Sequence, residues 1–336
     1  MTLHQLLERA KRKFNSQSIV LMYHRIADPA VDTWELSVSA ANFEEQLQVL
    51  KKSGLVIPMS DLIEQIYLKK NLRSAIVLTF DDGYIDNYLC AKPLLEKYEM
   101  PATFFVSTKH VGIVKEFWWD ELENILLLSP ILPPNLFIHL NDLSYQYDLA
   151  EEIILTDAMR LKHNMWNYNQ VPPTDRTRIY LEIWKLLSPL TYSQQQEVIE
   201  TLKVSLGRPY LTRNEYCSMS EKQLKELASV DSFTIGGHTV THPSLTNHSK
   251  EMQAQEISAN KEELELLTGS IVNTFAYPSG NLNDVTVGLL KQQGFQAAFT
   301  THHQSINKNQ DPYLIGRFQV NNWNGKRFEQ AIKKWL

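Results

Sequence analysis

The residues best suited to chemistry fall in four short runs. Asp81-Asp82-Gly83 sets two carboxylates side by side, and His238-Thr-Val-Thr-His242 spaces two imidazoles four residues apart. Tyr23-His24 and Tyr277-Pro-Ser-Gly280 add further polar groups. Two imidazoles plus a carboxylate make a three-ligand site that leaves one position open for water, as catalytic zinc requires. The four-residue spacing is able to place both imidazoles on one side of a helical turn. Adjacent carboxylates suit a division of labour, one binding metal and the other acting as base, with the metal's charge keeping both ionised. Water on such a metal drops from a pKa of 15.7 to about 7 and becomes a nucleophile at neutral pH.

Each run alone has a plainer reading: Asp-Asp-Gly is a common turn and helix cap, and a lone His-x-x-x-His is weakly specific. Asp81, Asp82 and Asp86 also spell a DDxxD, which prenyl-diphosphate enzymes use to hold magnesium from a helix. Here Ile76–Phe80 reads as a strand, and Gly83 interrupts the motif. Position separates the readings, because each run follows a predicted strand. Ser18–Met22, Ala75–Phe80, Thr103–Val106, Phe233–Ile235, Thr274–Tyr277 and Ala297–Thr300 are short, apolar and rich in β-branched residues.

Amphipathic helices lie between these strands. One opens at Asn42 and stops near Gly54, with Phe43, Leu47 and Leu50 on one face; a second opens at Ser60. Ser220 and Gln223 form a capping box for a helix over Lys222–Ala228. Further helices run from Ser249 to Thr268, ending at Gly269, and from a cap at Asp284 to Gly294. Strand-then-helix repetition implies parallel pairing, in a barrel or a doubly wound sheet, with function at the strands' C-terminal ends.

Residues 113–206 break this rhythm. They contain no glycine but hold six of the fourteen prolines and four of the seven tryptophans. Helices broken at Pro130, Pro133, Pro172 and Pro189 are expected there. The chain therefore divides into a first core part, 1–116, an insertion, 117–215, expected to be helical, and a second core part, 216–336.

The 336 residues are 43% hydrophobic, which suffices for a packed core, and 33 Lys+Arg against 38 Asp+Glu give a net charge of −5. With no dense basic run, nucleic acid is not an expected partner. Cys90 and Cys217 are read as isolated thiols. The N-terminal residues lack an uninterrupted secretory apolar region, and Ile125–Leu132 is cut by Ser129 and Pro130. A cytoplasmic protein without a transmembrane segment is the expectation.

Thr79-Phe-Asp-Asp-Gly83 and His238-Thr-Val-Thr-His242-Pro243 resemble the first two signature motifs of the polysaccharide deacetylases (carbohydrate esterase family 4), and Phe275-Ala-Tyr-Pro-Ser-Gly280 resembles the third. The resemblance covers about 18–112 and 216–320. It implies a distorted (β/α) barrel that hydrolyses the N-acetyl group of an amino sugar with one divalent metal, usually Zn2+. It also implies Asp82, His238 and His242 as metal ligands, Asp81 as the base acting on metal-bound water, and the backbone N–H of Tyr84 beside the metal as oxyanion donor. The family's third motif usually opens with an arginine that orients the base. This chain offers Phe275 or Tyr277 there, leaving Arg317 as a residue that would have to reach Asp81. Val20-Leu-Met-Tyr-His24 looks like the family's last motif moved to the front, as in its circularly permuted branch, which implies His24 as the general acid. His302 and His303 are read as loop residues.

Trp118 and Trp119, at the start of the insertion, either stack on sugar rings or fill its seam with the barrel. With Tyr84, Tyr277 and Arg317 they complete the candidate substrate contacts. The expected function is a metal-dependent N-deacetylase acting on a glycan or glycan precursor, with nucleotide- and lipid-linked forms among the candidates. A deformylase, another C–N amide hydrolase, and a catalytically silent glycan-binding barrel are the alternatives.

Overall fold

The computed structural model describes residues 17–68, 74–140, 143–149, 151–307 and 309–336. The N-terminal stretch read above for a leader lies outside the described residues as far as residue 16. In chain order the elements are β1 (Ile19–Tyr23), β2 (Arg25–Ile26), β3 (Ser37–Val38), α1 (Ala40–Ser53), α2 (Met59–Leu68), β4 (Ile76–Phe80), α3 (Lys92–Tyr98) and β5 (Ala102–Val106). The insertion carries α4 (Trp118–Glu123), β6 (Asn135–Leu140), β7 (Leu143–Asp148), α5 (Asp157–Met165), α6 (Asp175–Leu187) and α7 (Tyr192–Ser205). After it come α8 (Glu221–Ala228), β8 (Phe233–Gly237), α9 (Lys250–Thr268), β9 (Thr274–Ala276), α10 (Asp284–Gln292), β10 (Ala297–Phe299), β11 (Phe318–Gln319) and α11 (Gly325–Trp335).

Seven strands form one parallel sheet in the order β10-β9-β8-β5-β4-β1-β11. Each strand neighbours its successor in the chain, and the last returns to the first. A doubly wound sheet reverses its strand order part-way, whereas a barrel does not. A parallel bridge between Phe299 of β10 and Ile315, just ahead of β11, connects the two ends of the sheet. This is the distorted (β/α) barrel that the motifs implied.

Alternation along the strands builds two cores. Ile19, Leu21, Tyr23, Ile76, Leu78 and Phe80 pack outward with apolar residues of α1, α3, α8, α9 and α11. Val20, Val77, Phe105 and Phe299 form the inner cluster with Met59, Leu62, Ile63 and Ile66 of α2. Val56, just before α2, bridges Ile76 at the start of β4, which puts this helix at the strands' N-terminal end. The opposite rim is left for function.

Helix ends follow the expected chemistry with small shifts. Ser39, rather than Asn42, caps α1, and Gly54 ends it at φ 61°. Asn283, rather than Asp284, caps α10, while Ser220 and Gln223 form the expected box at α8. Cys90 and Cys217 are free thiols.

The insertion is not purely helical. β6 and β7 form an antiparallel hairpin whose Leu136, Ile138 and Leu140 are buried, a period of two that the prolines on either side masked. Its own core joins α4, the hairpin, α6 and α7 through Leu122, Ile125, Leu136, Ile179, Ile183 and Val198. Glu116 and Cys217 are bridged antiparallel where the chain leaves the barrel and re-enters it.

Candidate functional site

Register decides which side chains meet at the rim. Tyr23 is level with Phe80, and the Asp81 N–H donates to the Tyr23 carbonyl at 3.0 Å, so His24 and Asp81 leave adjacent strands together. The inward alternation through Val20 and Met22 reaches His24, that through Val77 and Thr79 reaches Asp81, and that through Gly236 reaches His238.

Past β4 the backbone turns sharply, with Asp82 at φ 72° and Gly83 at φ 82°. A Cβ on Gly83 would sit 2.8 Å from Val106 Cγ1, so position 83 needs glycine for conformation and for space. The turn brings Asp82 Oδ1 to 3.3 Å from His238 Nε2 and 3.5 Å from His242 Nε2. In a tetrahedral zinc site with ligand distances of about 2.0–2.1 Å, donor atoms stand about 3.4 Å apart. Asp82 Oδ1 is buried with no hydrogen-bond partner among the described residues. One ligand atom from each of the three residues falls within 4.8 Å of the others, and together they fit a divalent cation.

The two histidines converge through a loop and not through a helical turn. Thr239 and His242 both have positive φ, 66° and 57°, which a helix does not allow. Two side chains one turn apart on α9 hold the loop in this form. Buried Asn260 accepts from the His238 N–H at 3.0 Å and donates to the carbonyls of Thr239 at 2.7 Å and Val106 at 3.0 Å. Glu256 accepts from the N–H groups of Val240 and Thr241 and from the Thr241 hydroxyl. His238 Nδ1 lies 2.7 Å from the Ala276 carbonyl, an acceptor that fixes the proton on Nδ1 and leaves Nε2 as the ligand atom. Gly236 and Gly237 permit this packing: a Cβ on the first would meet the Phe105 ring at 2.4 Å, and on the second Asn260 Oδ1 at 2.9 Å.

Asp81 turns away from the triad toward Arg317. The guanidinium donates to both carboxylate oxygens, each at 2.7 Å, and also to the Thr300 carbonyl and Thr79 Oγ1. Arg317 is fully buried and does not line the cavity described below, so it meets Asp81 and not that cavity. Burial would raise the Asp81 carboxyl, but the Arg317 charge, followed by nearby His238, outweighs it and holds the pKa below the usual range. Asp82 is likewise held low: burial opposes ionisation, and the surrounding imidazoles win. His238 is raised, because contact with Asp82 overcomes burial, whereas burial drags His242 down to about 4. His24 Nε2 lies 4.0 Å from Asp81 Oδ2, and burial lowers its pKa against the pull of both aspartates.

Above these groups opens a cavity of about 260 Å³, lined by His24, Asp81, Asp82, His238 and His242 and walled largely by aromatic rings. Trp118 and Trp119 both line it, and the Trp119 ring lies 4.8 Å from that of His242. Its indole N–H donates to the Tyr84 hydroxyl at 2.9 Å, which donates in turn to Asp120 at 2.7 Å. The Tyr84 side chain is thus buried behind the wall. Tyr277 is fully buried, donates to the Tyr313 carbonyl and does not line the cavity. His302 and His303 are exposed in a loop.

Sequence reasoning missed Asn260, Glu256 and the cavity residues Trp34, Tyr168 and Trp184. Single polar residues on a helix and aromatic residues scattered through a connection and an insertion carry no local pattern.

Among known proteins, the polysaccharide deacetylase family profile matches residues 69–126 and 206–298. The chain is 29% identical over 152 residues to YxkH of Bacillus subtilis (strain 168), a polysaccharide deacetylase by name, covering 44% of this chain and 52% of that one. It thus spans about half the length of that relative. It is 22% identical over 351 residues to the poly-β-1,6-N-acetyl-D-glucosamine N-deacetylase of Staphylococcus aureus (strain MSSA476), covering 98% of this chain and 86% of that one. Two solved structures share the fold. IcaB from Ammonifex degensii superposes with a TM-score of 0.58 at 18% identity, over 96% of this chain and 97% of that one. The Streptococcus pyogenes deacetylase PplD, solved with acetate, gives 0.57 at 19% identity, over 94% and 97%. At these identities the likeness is one of fold.

Proposed function

We propose that the chain, which matches the polysaccharide deacetylase family profile over residues 69–126 and 206–298, is a metal-dependent hydrolase removing the N-acetyl group from an amino sugar. The observation that carries this reading is the pairing of two sites a few ångströms apart: a buried Asp-His-His triad with an unpartnered carboxylate oxygen, and a second aspartate locked by a buried arginine.

Asp82, His238 and His242 would hold a divalent cation, most simply Zn2+, which when bound supplies Lewis acidity and an activated water. The remaining roles belong to the chain itself. Asp81, kept ionised by Arg317, is the base that takes the proton from the attacking water. Its fixed orientation matters as much as its charge, since both oxygens are committed to the guanidinium plane. The Tyr84 N–H is the amide offered to the developing oxyanion. His24 is the acid for the departing amine. Burial outweighs the pull of the neighbouring aspartates and lowers its pKa. Trp119 and the other rings exclude water from the acetamide.

The test is metal content by elemental mass spectrometry, beside acetate release from N-acetylated sugars, with nucleotide- and lipid-linked forms screened beside polymer fragments. Near one equivalent of a divalent ion is expected in the wild type and none in His238→Ala. Asp81→Asn should keep the metal and lose turnover. A protein that takes up no metal on reconstitution would overturn the reading.

A further inference from the structure

The two imidazoles of the triad are held by different means. His238 is pinned through its second ring nitrogen, which lies 2.7 Å from the Ala276 carbonyl. His242 has no such anchor: its Nε2 faces Asp82, its backbone N–H donates to Thr239 Oγ1 at 3.1 Å, and its Nδ1 has no hydrogen bond among the described residues. The torsion that swings an imidazole about its Cβ–Cγ bond is soft and roughly two-fold. A metal-ligating histidine is therefore normally fixed through its other nitrogen. His242 also stands nearer the opening, its side chain 13% exposed against 2% for His238.

The His242 ring is confined by other rings. Trp119 lies 4.8 Å from it between centroids at an interplanar angle of 59°, and His238 makes a second contact at 4.9 Å and 67°. Trp119 is itself immobilised. Its indole stacks on Phe117 at 4.6 Å and 5°, and its N–H donates to the Tyr84 hydroxyl, which is committed in turn to Asp120. All of these side chains are buried. Tyr84 directly follows the Asp82-Gly83 turn, so one hydrogen bond joins the turn that carries the first ligand of the triad to the ring that abuts the last. Asp82, Tyr84, Trp119 and His242 form a closed circuit of contacts, and the insertion contributes Trp119 to it.

We infer that Trp119 is a positioning residue for the metal ligand His242, clamped in place by Tyr84, so that the insertion completes the metal site as well as walling the cavity. This rests on the reading of Asp82, His238 and His242 as metal ligands. An imidazole that gives its Nε2 lone pair to a cation takes on positive character, which a neighbouring indole favours. Without the indole, the Cβ–Cγ torsion of His242 is free in the empty protein and has to be reordered on metal uptake.

The test is zinc affinity by chelator competition. The visible absorption of the Co2+-substituted protein reports ligand geometry, and urea denaturation of the metal-free protein reports folding. Trp119→Leu, which keeps apolar bulk and loses the ring, is expected to lower zinc affinity about tenfold and to change the Co2+ spectrum. Tyr84→Phe, which keeps ring and backbone and removes the acceptor of the indole N–H, is expected to lower zinc affinity about threefold. Because Tyr84 acts through Trp119, the double variant should bind zinc no more weakly than Trp119→Leu alone. A role confined to filling the seam predicts a different pattern: lower urea midpoints, an unchanged Co2+ spectrum and zinc affinities within about twofold of the wild type. That pattern, or losses of affinity that multiply in the double variant, would overturn the inference and leave the metal site standing. A wild-type protein that takes up neither Zn2+ nor Co2+ would overturn the metal-dependent reading itself, and this inference with it.

Discussion

Substituting Arg317 by Gln tests how Asp81, the proposed base, is held. In the native protein two N–H groups reach the two Asp81 oxygens at 2.7 Å inside the barrel, with Arg317 fully buried and Asp81 nearly so. Removing one partner of a buried pair leaves an uncompensated charge and costs about 3–5 kcal/mol. Asp81→Asn alone should cost a similar amount for the mirror reason, because it strands the guanidinium. The double variant strands neither charge. Its loss should fall short of the sum of the singles, giving a coupling of about 2–4 kcal/mol in a double-mutant cycle. Urea denaturation of the four metal-free proteins at neutral pH provides the measurement. The pH dependence follows from the same pair. The folded-state pKa of Asp81 is depressed, so its stabilising contribution is full above the ordinary carboxylate pKa and disappears as pH falls through the folded value. The gap between wild type and Arg317→Gln should therefore close toward acid pH. In turnover, the acid limb of kcat/KM should move to higher pH in Arg317→Gln, because the base loses the charge that keeps it ionised. Additivity of the two substitutions within about 0.5 kcal/mol, together with an unmoved acid limb, would refute the argument.

Three further outcomes are expected. Asn260→Ala, which frees the His238 N–H and the carbonyls of Thr239 and Val106, should lower zinc affinity about 10–100-fold in a chelator competition. Zinc affinity should fall about tenfold per pH unit as pH drops below the raised pKa of His238, since one proton must leave that imidazole. A second proton should enter only near the His242 value of about 4, and a two-proton slope starting from neutrality would contradict this assignment. Gly83→Ala should destabilise the fold by more than about 1 kcal/mol in thermal or urea denaturation, because it combines positive φ with a 2.8 Å approach to Val106.

The parts of this site that were legible in the sequence are those where type and position coincide. Asp81, Asp82, His238 and His24 stand where apolar strands run out, and a parallel fold leaves only one rim for such residues. The choice between barrel and doubly wound sheet was legible only through the motif resemblance; the element pattern left it open, because it turns on β11, two residues whose pairing with β1 leaves no periodic trace. The hairpin β6–β7 escaped for the opposite reason: its alternation was present, but the prolines around it suggested broken helices. Asn260 and Glu256 sit on a helix whose inward face also carries Gln253, so that face does not read as a core stripe. Their partners are backbone groups of a loop far away in the sequence, which no residue pattern encodes. Arg317 was visible only as an arginine that the third motif lacked.

The distance along the chain between Asp81 and Arg317 has a consequence for synthesis. Asp81 emerges early and its counter-ion 236 residues later. At about 5–20 residues per second, roughly 12–50 s separate the two on the ribosome. During that interval the growing barrel has an aspartate destined for its interior and not the guanidinium that grips both its oxygens. Enclosure of that carboxylate before Arg317 arrives would require taking up a proton, so the inner rim is free to close in its ionised form only as β11 docks against β1. The final strand thus delivers the barrel's closure and the counter-ion of Asp81 in one step.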